Sequence, residues 1–187
     1  DRDIFLSTGM SDDKEIRRAL RVLEYGYLNK NITDRTNLDG LEVFGPQVRD
    51  KVTLLQCTTQ YPAPIEEANL RAMIASGKKY GVDFGYSDHT TGVTSAIVAV
   101  ANGATVIEKH ITLDKKSTCG PDHAASLEPE EFRRLVLAIE EAELALGSEE
   151  KRVQPSEIEN RLVARKSLVA AENISRGQLF SETNLEI

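Results

Sequence analysis

Cysteine, long apolar runs and clusters of positive charge are all scarce in this sequence. Its 187 residues include only two cysteines, Cys57 and Cys119, whose spacing fits neither a zinc finger nor a disulfide scaffold. No segment approaches the roughly 18 apolar residues of a transmembrane helix, and the first residues lack the basic flank and apolar run of a signal peptide. We therefore expect a cytoplasmic protein without membrane partners.

A dense run of lysine and arginine is also absent, and the formal net charge is -7. Proteins that bind nucleic acid usually present a basic face, so we expect no nucleic-acid partner. Hydrophobic residues make up 40% of the chain, which is enough for a globular core. The length suits one ordinary domain with a short appendage.

Strand, loop and helix patterns alternate four times along the first 147 residues. Strand-like apolar runs occupy 4–7, 52–57, 82–87 and 105–109, and helical patterns follow at 11–23, 66–79, 93–101 and 129–147. Ser11 is the expected cap of the first helix, and 26–46 is typical of a loop. This alternation predicts a parallel α/β architecture, either a small open sheet or half of an eight-stranded barrel.

All three histidines lie between residues 89 and 123. His89 and His110 each follow a predicted strand, and their separation of 21 residues (110 − 89) is one strand-helix-strand repeat. Their imidazoles are expected side by side, because the carboxyl ends of parallel strands form one active face. Each has a carboxylate within two residues before it, Asp88 or Glu108. Imidazole suits Mn²⁺, Fe²⁺, Co²⁺ or Zn²⁺, so we favour a two-histidine metal site over two purely structural histidines.

Other candidates are weaker when each is taken alone. Asp122 lies in the loop 119–123 and could accept hydrogen bonds from a polyhydroxylated ligand, although an ordinary loop residue is the more common case. The stretch from Ser7 to Gly9 could bind an oxyanion through a hydroxyl and amides. Tyr61 is weaker still, and Cys57 is interpreted as a core residue.

Six short segments in order resemble the sialic acid synthase family, which includes N-acetylneuraminate, legionaminate and pseudaminate synthases. They are LSTGM at 6–10, CTTQYPAP at 57–64, GYSDHT at 85–90, IEKH at 107–110, GPDH at 120–123 and RKSL at 165–168. The likeness covers nearly the whole chain apart from the stretch 26–46. GYSDH followed at this distance by IEKH is the most specific part.

The resemblance implies a division of the chain into three parts. Residues 1–147 would form the C-terminal half of a (β/α)₈ TIM barrel, 148–164 a linker, and 165–187 the beginning of a small antifreeze-like (SAF) domain. Members of the family are dimers in which each small domain caps the barrel of the other subunit. A chain with half a barrel is therefore expected to be a fragment that is inactive by itself.

The resemblance also implies a reaction, in which phosphoenolpyruvate condenses with an N-acetylmannosamine-type aldehyde and phosphate is released. The implied roles are metal ligation by His89 and His110, catalysis by Glu108 and Asp122, and substrate contacts from Ser7, Thr59, Tyr61, Ser87 and Asp122. The metal is expected to be Mn²⁺, with Mg²⁺ or Co²⁺ as alternatives. Thr59 stands where neuraminate-forming members often carry Asn, which favours a di-N-acetylated, 6-deoxy sugar as in legionaminate synthesis.

Two other functions stay open at this point. One is a different phosphoenolpyruvate-condensing or aldolase barrel, which product analysis by mass spectrometry would separate from a sialic acid synthase. The other is a non-catalytic, truncated module that binds metal or sugar without turnover. Failure of the complete protein to release phosphate with any amino sugar would favour this second alternative.

Overall fold

The computed structural model describes residues 2–28, 44–117 and 119–187. The chain divides into two compact units, Asp1–Gly147 and Ser148–Ile187. Most of the predicted loop at 26–46 lies outside the described residues. Of its ends, residues 26 and 27 belong to the first helix and Pro46 begins the second.

A four-stranded parallel sheet forms the centre of the first unit. Its strands, in spatial as well as chain order, are β1 (Ile4–Ser7), β2 (Val52–Cys57), β3 (Asp83–Asp88) and β4 (Ile107–Lys109). All four were predicted within two residues of these bounds. Crossovers between parallel strands are right-handed, so strands that are added in one direction place their connecting helices on one face of the sheet.

Five α-helices lie in the part of this unit that the structure describes. They are α1 (Asp13–Tyr27), α2 (Pro46–Arg49), α3 (Leu70–Tyr80), α4 (Thr94–Ala101) and α5 (Pro129–Leu146). The expectation that Ser11 caps α1 is wrong. Asp12 is the cap, because its carboxylate accepts the Glu15 amide while the Glu15 carboxylate accepts the Asp12 amide. Ser11 is followed three residues later by Lys14, which cannot complete such a reciprocal pair.

The two faces of the sheet have different surroundings. Side chains of alternate strand residues, such as Leu54 and Tyr86, are buried against the helices in three apolar clusters. On the opposite face Phe5 is 62% exposed, and Ser7 and Glu108 are exposed as well. The sheet is therefore that of a half-barrel, with helices on one side and an open side that carries the polar strand ends.

Gly85 occupies a position in β3 where the open face leaves no room for a side chain. A Cβ atom there would lie 2.4 Å from the Val106 carbonyl oxygen and 2.7 Å from Cδ2 of Leu55. The same Val106 carbonyl accepts the Tyr86 amide at 2.9 Å, which links β3 to the residue immediately before β4. Glycine is required here by close packing, since its φ is not in the left-handed region.

The second unit is small and mostly exposed. It contains a 3₁₀ turn (Pro155–Glu157), the helix α6 (Ile158–Ala164) and two short antiparallel strands, β5 (Val169–Ala170) and β6 (Leu185–Glu186). The predicted linker at 148–164 thus includes the turn and all of α6. Among the described helices of both units, none has the length and apolar character needed to cross a membrane.

An ion-pair cluster joins the start of α1 to the end of α3. Lys79 Nζ lies 2.7 Å from each oxygen of the Asp13 carboxylate, and the Tyr80 hydroxyl donates to Asp13 Oδ1 at 2.6 Å. These contacts, with Lys79 first, lower the pKa of Asp13 from 3.8 to about 2. The folded state therefore binds this proton more weakly than the unfolded state does.

The packing around Gly85 generates a first prediction. Gly85→Ala should lower the free energy of unfolding by about 1–3 kcal/mol, because the added methyl group displaces Leu55 or the Val106 backbone. Gly26→Ala is the matched control, since a Cβ there meets nothing within 4 Å and alanine favours the helix. Denaturant unfolding measures both. A Gly85→Ala variant as stable as the parent protein would contradict this packing.

The Asp13 cluster generates a second prediction. Its contribution to stability is fully present above the unfolded pKa of 3.8 and is lost as pH falls through about 2. Asp13→Asn should therefore cost up to about 1 kcal/mol near neutral pH, a modest value because Asp13 is 48% exposed, and progressively less in acid. Unfolding curves of both proteins at several pH values test this. A difference that is constant down to the lowest pH would argue against it.

Candidate metal and substrate site

His89 and His110 lie next to each other at the carboxyl end of the sheet. The register pairs Ser87 with Glu108 and Asp88 with Lys109, so each histidine is the next residue along neighbouring strands. Their ring centroids are 5.1 Å apart with an interplanar angle of 59°. His89 is 5% exposed and His110 is half-buried. The parallel register thus brings together the two imidazoles that sequence spacing associates.

The backbone carbonyl of Thr58 orients the His89 ring. His89 Nδ1 lies 2.9 Å from this oxygen, which can only accept, so the hydrogen-bond network assigns the proton to Nδ1. The lone pair of Nε2 is left for a ligand, an arrangement common for metal-binding histidines. Cys57 Sγ also lies 3.6 Å from Nδ1. Sequence patterns give no sign of the Thr58 contact, because it depends on a backbone atom.

Tyr61 packs against both histidines. Its ring centroid is 4.3 Å from that of His89 and 5.5 Å from that of His110. The loop after β2, which carries Tyr61, is attached to the end of β3, since the Ala63 amide donates to the His89 carbonyl at 2.8 Å. Tyr61 therefore belongs to the site more closely than its weak sequence signal indicated.

Partial burial raises the pKa of the Tyr61 hydroxyl, and the negative charges of Asp122 and Glu108 act in the same direction. The hydroxyl therefore keeps its proton at neutral pH and can donate a hydrogen bond to a ligand. Asp122 lies half-buried in the 3₁₀ turn Pro121–Ala124. Its backbone carbonyl accepts the Ser126 amide at 3.0 Å and hydroxyl at 2.7 Å, which holds this turn in place.

Ser87 and Glu108 form a hydrogen-bonded pair across β3 and β4. The Ser87 hydroxyl donates to Glu108 Oε1 at 2.5 Å and lies 3.5 Å from His89 Nε2. Ser87 is almost fully buried, whereas Glu108 is exposed on the open face. This pair places one carboxylate beside the imidazoles with part of its surface accessible.

Ser7 lies at the same end of the sheet but on the edge strand β1. The register places Ser7 on the open face, because its partner is Leu55. Cys57 lies two residues after Leu55, so it points to the same face, and its partner is Ser87. Ser7 is level with Gly85, about 10 Å and two strand spacings away, and Ser87 lies two residues further along β3. Thr8 adds no donor for an oxyanion, since its amide and hydroxyl both donate to the Leu55 carbonyl. The expected Ser7–Gly9 donor group is therefore smaller than the sequence indicated.

Thr59 lies exposed in the loop after β2 and contacts the loop after β1. A Cβ atom on Gly9 would be 2.2 Å from Thr59 Oγ1 and 3.2 Å from Cys57 Sγ. The absence of a side chain at Gly9 thus allows these two loops to approach each other. Thr59 lies at the side of the site that faces Ser7, and the structure gives it no contact with either histidine ring.

Asp88 does not belong to the site, although it precedes His89 in sequence. Successive strand side chains point to opposite faces, so Asp88 is directed toward the helices. Its Oδ2 lies 3.1 Å from Lys109 Nζ, and both side chains are fully buried. Burial lowers the pKa of Lys109, and the charge of Asp88 opposes this shift. The carboxylate that precedes His89 in the sequence is therefore turned away from the two imidazoles.

The donor set fits a divalent ion with few protein ligands. Within the described ranges 2–28, 44–117 and 119–187, no group of three or more His, Cys, Asp and Glu side chains is arranged to hold a metal ion. Two imidazoles on adjacent strands fit part of such a set, and the remaining positions would be open to water and substrate oxygen. Open positions are typical of catalytic rather than structural metal sites.

Comparison with known proteins identifies the family. The profile of the NeuB family matches residues 1–151, and the chain belongs to this family. It is 46% identical over 184 residues to the N,N'-diacetyllegionaminic acid synthase of Campylobacter jejuni, and 38% identical over 172 residues to the pseudaminic acid synthase of Helicobacter pylori. These alignments cover 98% and 91% of this chain but 49% and 50% of the two relatives. The chain spans about half the length of the curated relatives it matches.

A solved structure supports the same relationship. The N-acetylneuraminic acid synthetase of Leptospira borgpetersenii superposes with a TM-score of 0.63 at 31% sequence identity, covering 88% of this chain and 51% of that protein. The α/β fold with its parallel half-barrel sheet is therefore similar to that of sialic acid synthases. The expected resemblance to this family is confirmed, and the relatives are named as nonulosonic acid synthases.

Proposed function

We propose that this chain is part of a nonulosonic acid synthase and carries one half of its active site. In the proposed reaction, carbon 3 of phosphoenolpyruvate bonds to the aldehyde carbon of an N-acetylmannosamine-type sugar, water adds at carbon 2, and phosphate leaves. The observation that carries the proposal is the convergence of His89, His110 and Tyr61 at two neighbouring strand ends. Membership of the NeuB family supports the reaction class.

His89 and His110 would hold a divalent ion, with Mn²⁺ preferred and Mg²⁺ or Co²⁺ as alternatives. When bound, such an ion supplies Lewis acidity toward the aldehyde oxygen of the sugar. The Thr58 carbonyl supports this role, because it keeps the proton on Nδ1 and leaves Nε2 free to coordinate. The partial burial of both rings also restricts competing water.

Glu108 and Asp122 are the proposed catalytic carboxylates. The Ser87 hydroxyl donates a hydrogen bond to one oxygen of Glu108. This bond orients the carboxylate, which remains exposed on the open face. From there it would accept the proton of the water that adds to carbon 2. Asp122 would accept hydrogen bonds from sugar hydroxyls, and the protonated Tyr61 hydroxyl would donate one. Ser7, on the open face of β1 at the same end of the sheet, would bind the phosphate group.

The substrate proposal rests on Thr59. Its side chain lies against Gly9 at the exposed rim of the site, where it would contact the part of the sugar distant from the aldehyde. A threonine in place of the asparagine of many neuraminate-forming members favours a di-N-acetylated, 6-deoxy sugar. The 46% identity to a relative named N,N'-diacetyllegionaminic acid synthase supports the same choice.

The architecture of the complete protein is also a proposal. The open face exposes Phe5 together with the site residues Ser7 and Glu108, and β1 and β4 are edge strands of the described sheet. A second set of four βα units would cover this face and pair both edges, which gives a (β/α)₈ barrel with its site at the carboxyl ends of the strands. Residues 165–187 would begin an antifreeze-like (SAF) domain, and the complete enzyme would be a cytoplasmic dimer with exchanged small domains.

Loss of either imidazole should abolish metal binding in the complete protein. His89→Ala and His110→Ala are each expected to weaken Mn²⁺ binding by more than about 100-fold, since even residues that only orient a ligand contribute 10–100-fold. Isothermal titration calorimetry measures the affinity. His123→Ala is the matched control, because His123 Nδ1 lies 2.7 Å from the Thr112 hydroxyl and its imidazole is not one of the two proposed ligands. Unchanged Mn²⁺ affinity in the His89→Ala and His110→Ala variants would refute the metal site.

Asp122 is expected to affect sugar binding. Asp122→Asn should raise the KM for the amino sugar about tenfold, because hydrogen bonds to a charged acceptor contribute about 1.5–3 kcal/mol. Steady-state phosphate release with mass-spectrometric identification of the product measures this. Asp114→Asn is the control, since Asp114 is exposed and its carboxylate accepts the Lys116 amide of the same loop. If the KM and kcat of Asp122→Asn match those of the parent enzyme, Asp122 is not in the sugar site.

A further inference from the structure

A buried ion pair lies directly behind the two histidines, on the helix-covered face of the sheet. Asp88 and Lys109 form the last paired position of β3 and β4, one residue before His89 and His110. Asp88 Oδ2 and Lys109 Nζ are 3.1 Å apart, and neither side chain is exposed. Because strand side chains alternate, this pair and the two imidazoles share the same backbone segments but project to opposite faces.

The hydrogen bonds around Asp88 form a closed network. Thr90 donates its amide and its hydroxyl to Asp88 Oδ1, each at 2.8 Å. Ser95, from α4, donates to Oδ2 at 2.9 Å and also lies 2.7 Å from the Thr90 hydroxyl. Lys109 Nζ additionally donates to the Thr90 carbonyl. The network therefore includes the residues on both sides of His89 in the chain and the residue that precedes His110.

Stability by itself is a weak reason for this arrangement. Each buried charge loses its hydration, and well-packed apolar residues often replace such a pair without loss of stability. A fully hydrogen-bonded pair does restrict the backbone atoms that it joins. Past this pair the two strand ends diverge to other partners, since the His89 carbonyl accepts the Ala63 amide and the His110 carbonyl accepts the Leu127 amide.

We propose that Asp88 and Lys109 are positioning residues that set the separation of the His89 and His110 rings. Neither residue contacts the proposed metal or substrate. Lys109 acts by holding the ends of β3 and β4 at a fixed distance. Thr90 and Ser95 hold Asp88 in the rotamer that contacts Lys109. This inference rests on the proposed function, because the separation matters only if the rings bind one ion together.

The test is the double variant Asp88→Asn/Lys109→Met in the complete protein, with Co²⁺ as the probe ion. The variant removes both charges at similar side-chain volume, so neither charge is left buried alone. We expect a folded protein with a Tm close to that of the parent, a Co²⁺ affinity about 10–100-fold lower and an altered Co²⁺ d–d absorption spectrum. The control Asp13→Asn/Lys79→Met removes an exposed pair between α1 and α3 and should leave Co²⁺ affinity unchanged.

The outcomes separate this inference from the proposed function. If His89→Ala binds Co²⁺ as tightly as the parent protein, the metal site fails and the positioning role fails with it. If His89→Ala loses Co²⁺ while the double variant keeps the affinity and spectrum of the parent, only the positioning role is overturned. Should the double variant not fold, Ser95→Ala replaces it, because it removes one hydrogen bond to Asp88 and keeps the ion pair. Weaker Co²⁺ binding by Ser95→Ala supports the role, and unchanged binding overturns it.

Discussion

The parallel register between β3 and β4 is the constraint on which the candidate site depends. It pairs Ser87 with Glu108 and Asp88 with Lys109, so the next residue on each strand is a histidine at the same height. A shift of β3 by one residue would turn its side chains to the other face, which would place the His89 imidazole among the helices and Asp88 in the site. The hydrogen bond from Ser87 to Glu108 on one face and the ion pair from Lys109 to Asp88 on the other both favour the observed register.

The two faces of the sheet have different roles: one contributes to stability, and the other carries the groups of the candidate site. Helices cover one side, where apolar strand residues form continuous clusters with α1, α3, α4 and α5. The other side carries the groups of the site, and Gly85 is packed closely there. Burial of apolar area drives folding without directional preference, whereas polar groups at strand ends need defined partners. The covered face therefore supports the backbone from which the open face presents its imidazoles and carboxylates.

Residues that support the site are as informative as those that compose it. Thr58 contributes only a carbonyl oxygen, but this oxygen determines which nitrogen of His89 is free. Tyr61 reaches both rings from the loop after β2, and Gly9 allows the neighbouring loop to approach Thr59. The site is consequently built from the ends of all four strands of the described sheet and the loops that follow them, which lie together because parallel strands end at the same side of a sheet.

The order of elements and the pairing of His89 with His110 were accessible from the sequence, because apolar periodicity reports burial and one repeat length reports neighbouring strands. The NeuB relationship was equally accessible, since its motifs lie in short contiguous segments. Other features depended on contacts between distant parts of the chain: the direction of Asp88, the tautomer of His89, the position of Tyr61 over both rings and the close approach at Gly85. Sequence by itself determined which residues meet at the sheet edge. Only the tertiary structure decided which face each side chain occupies and which partner it meets, because these are set by register and by backbone atoms that carry no side-chain signature.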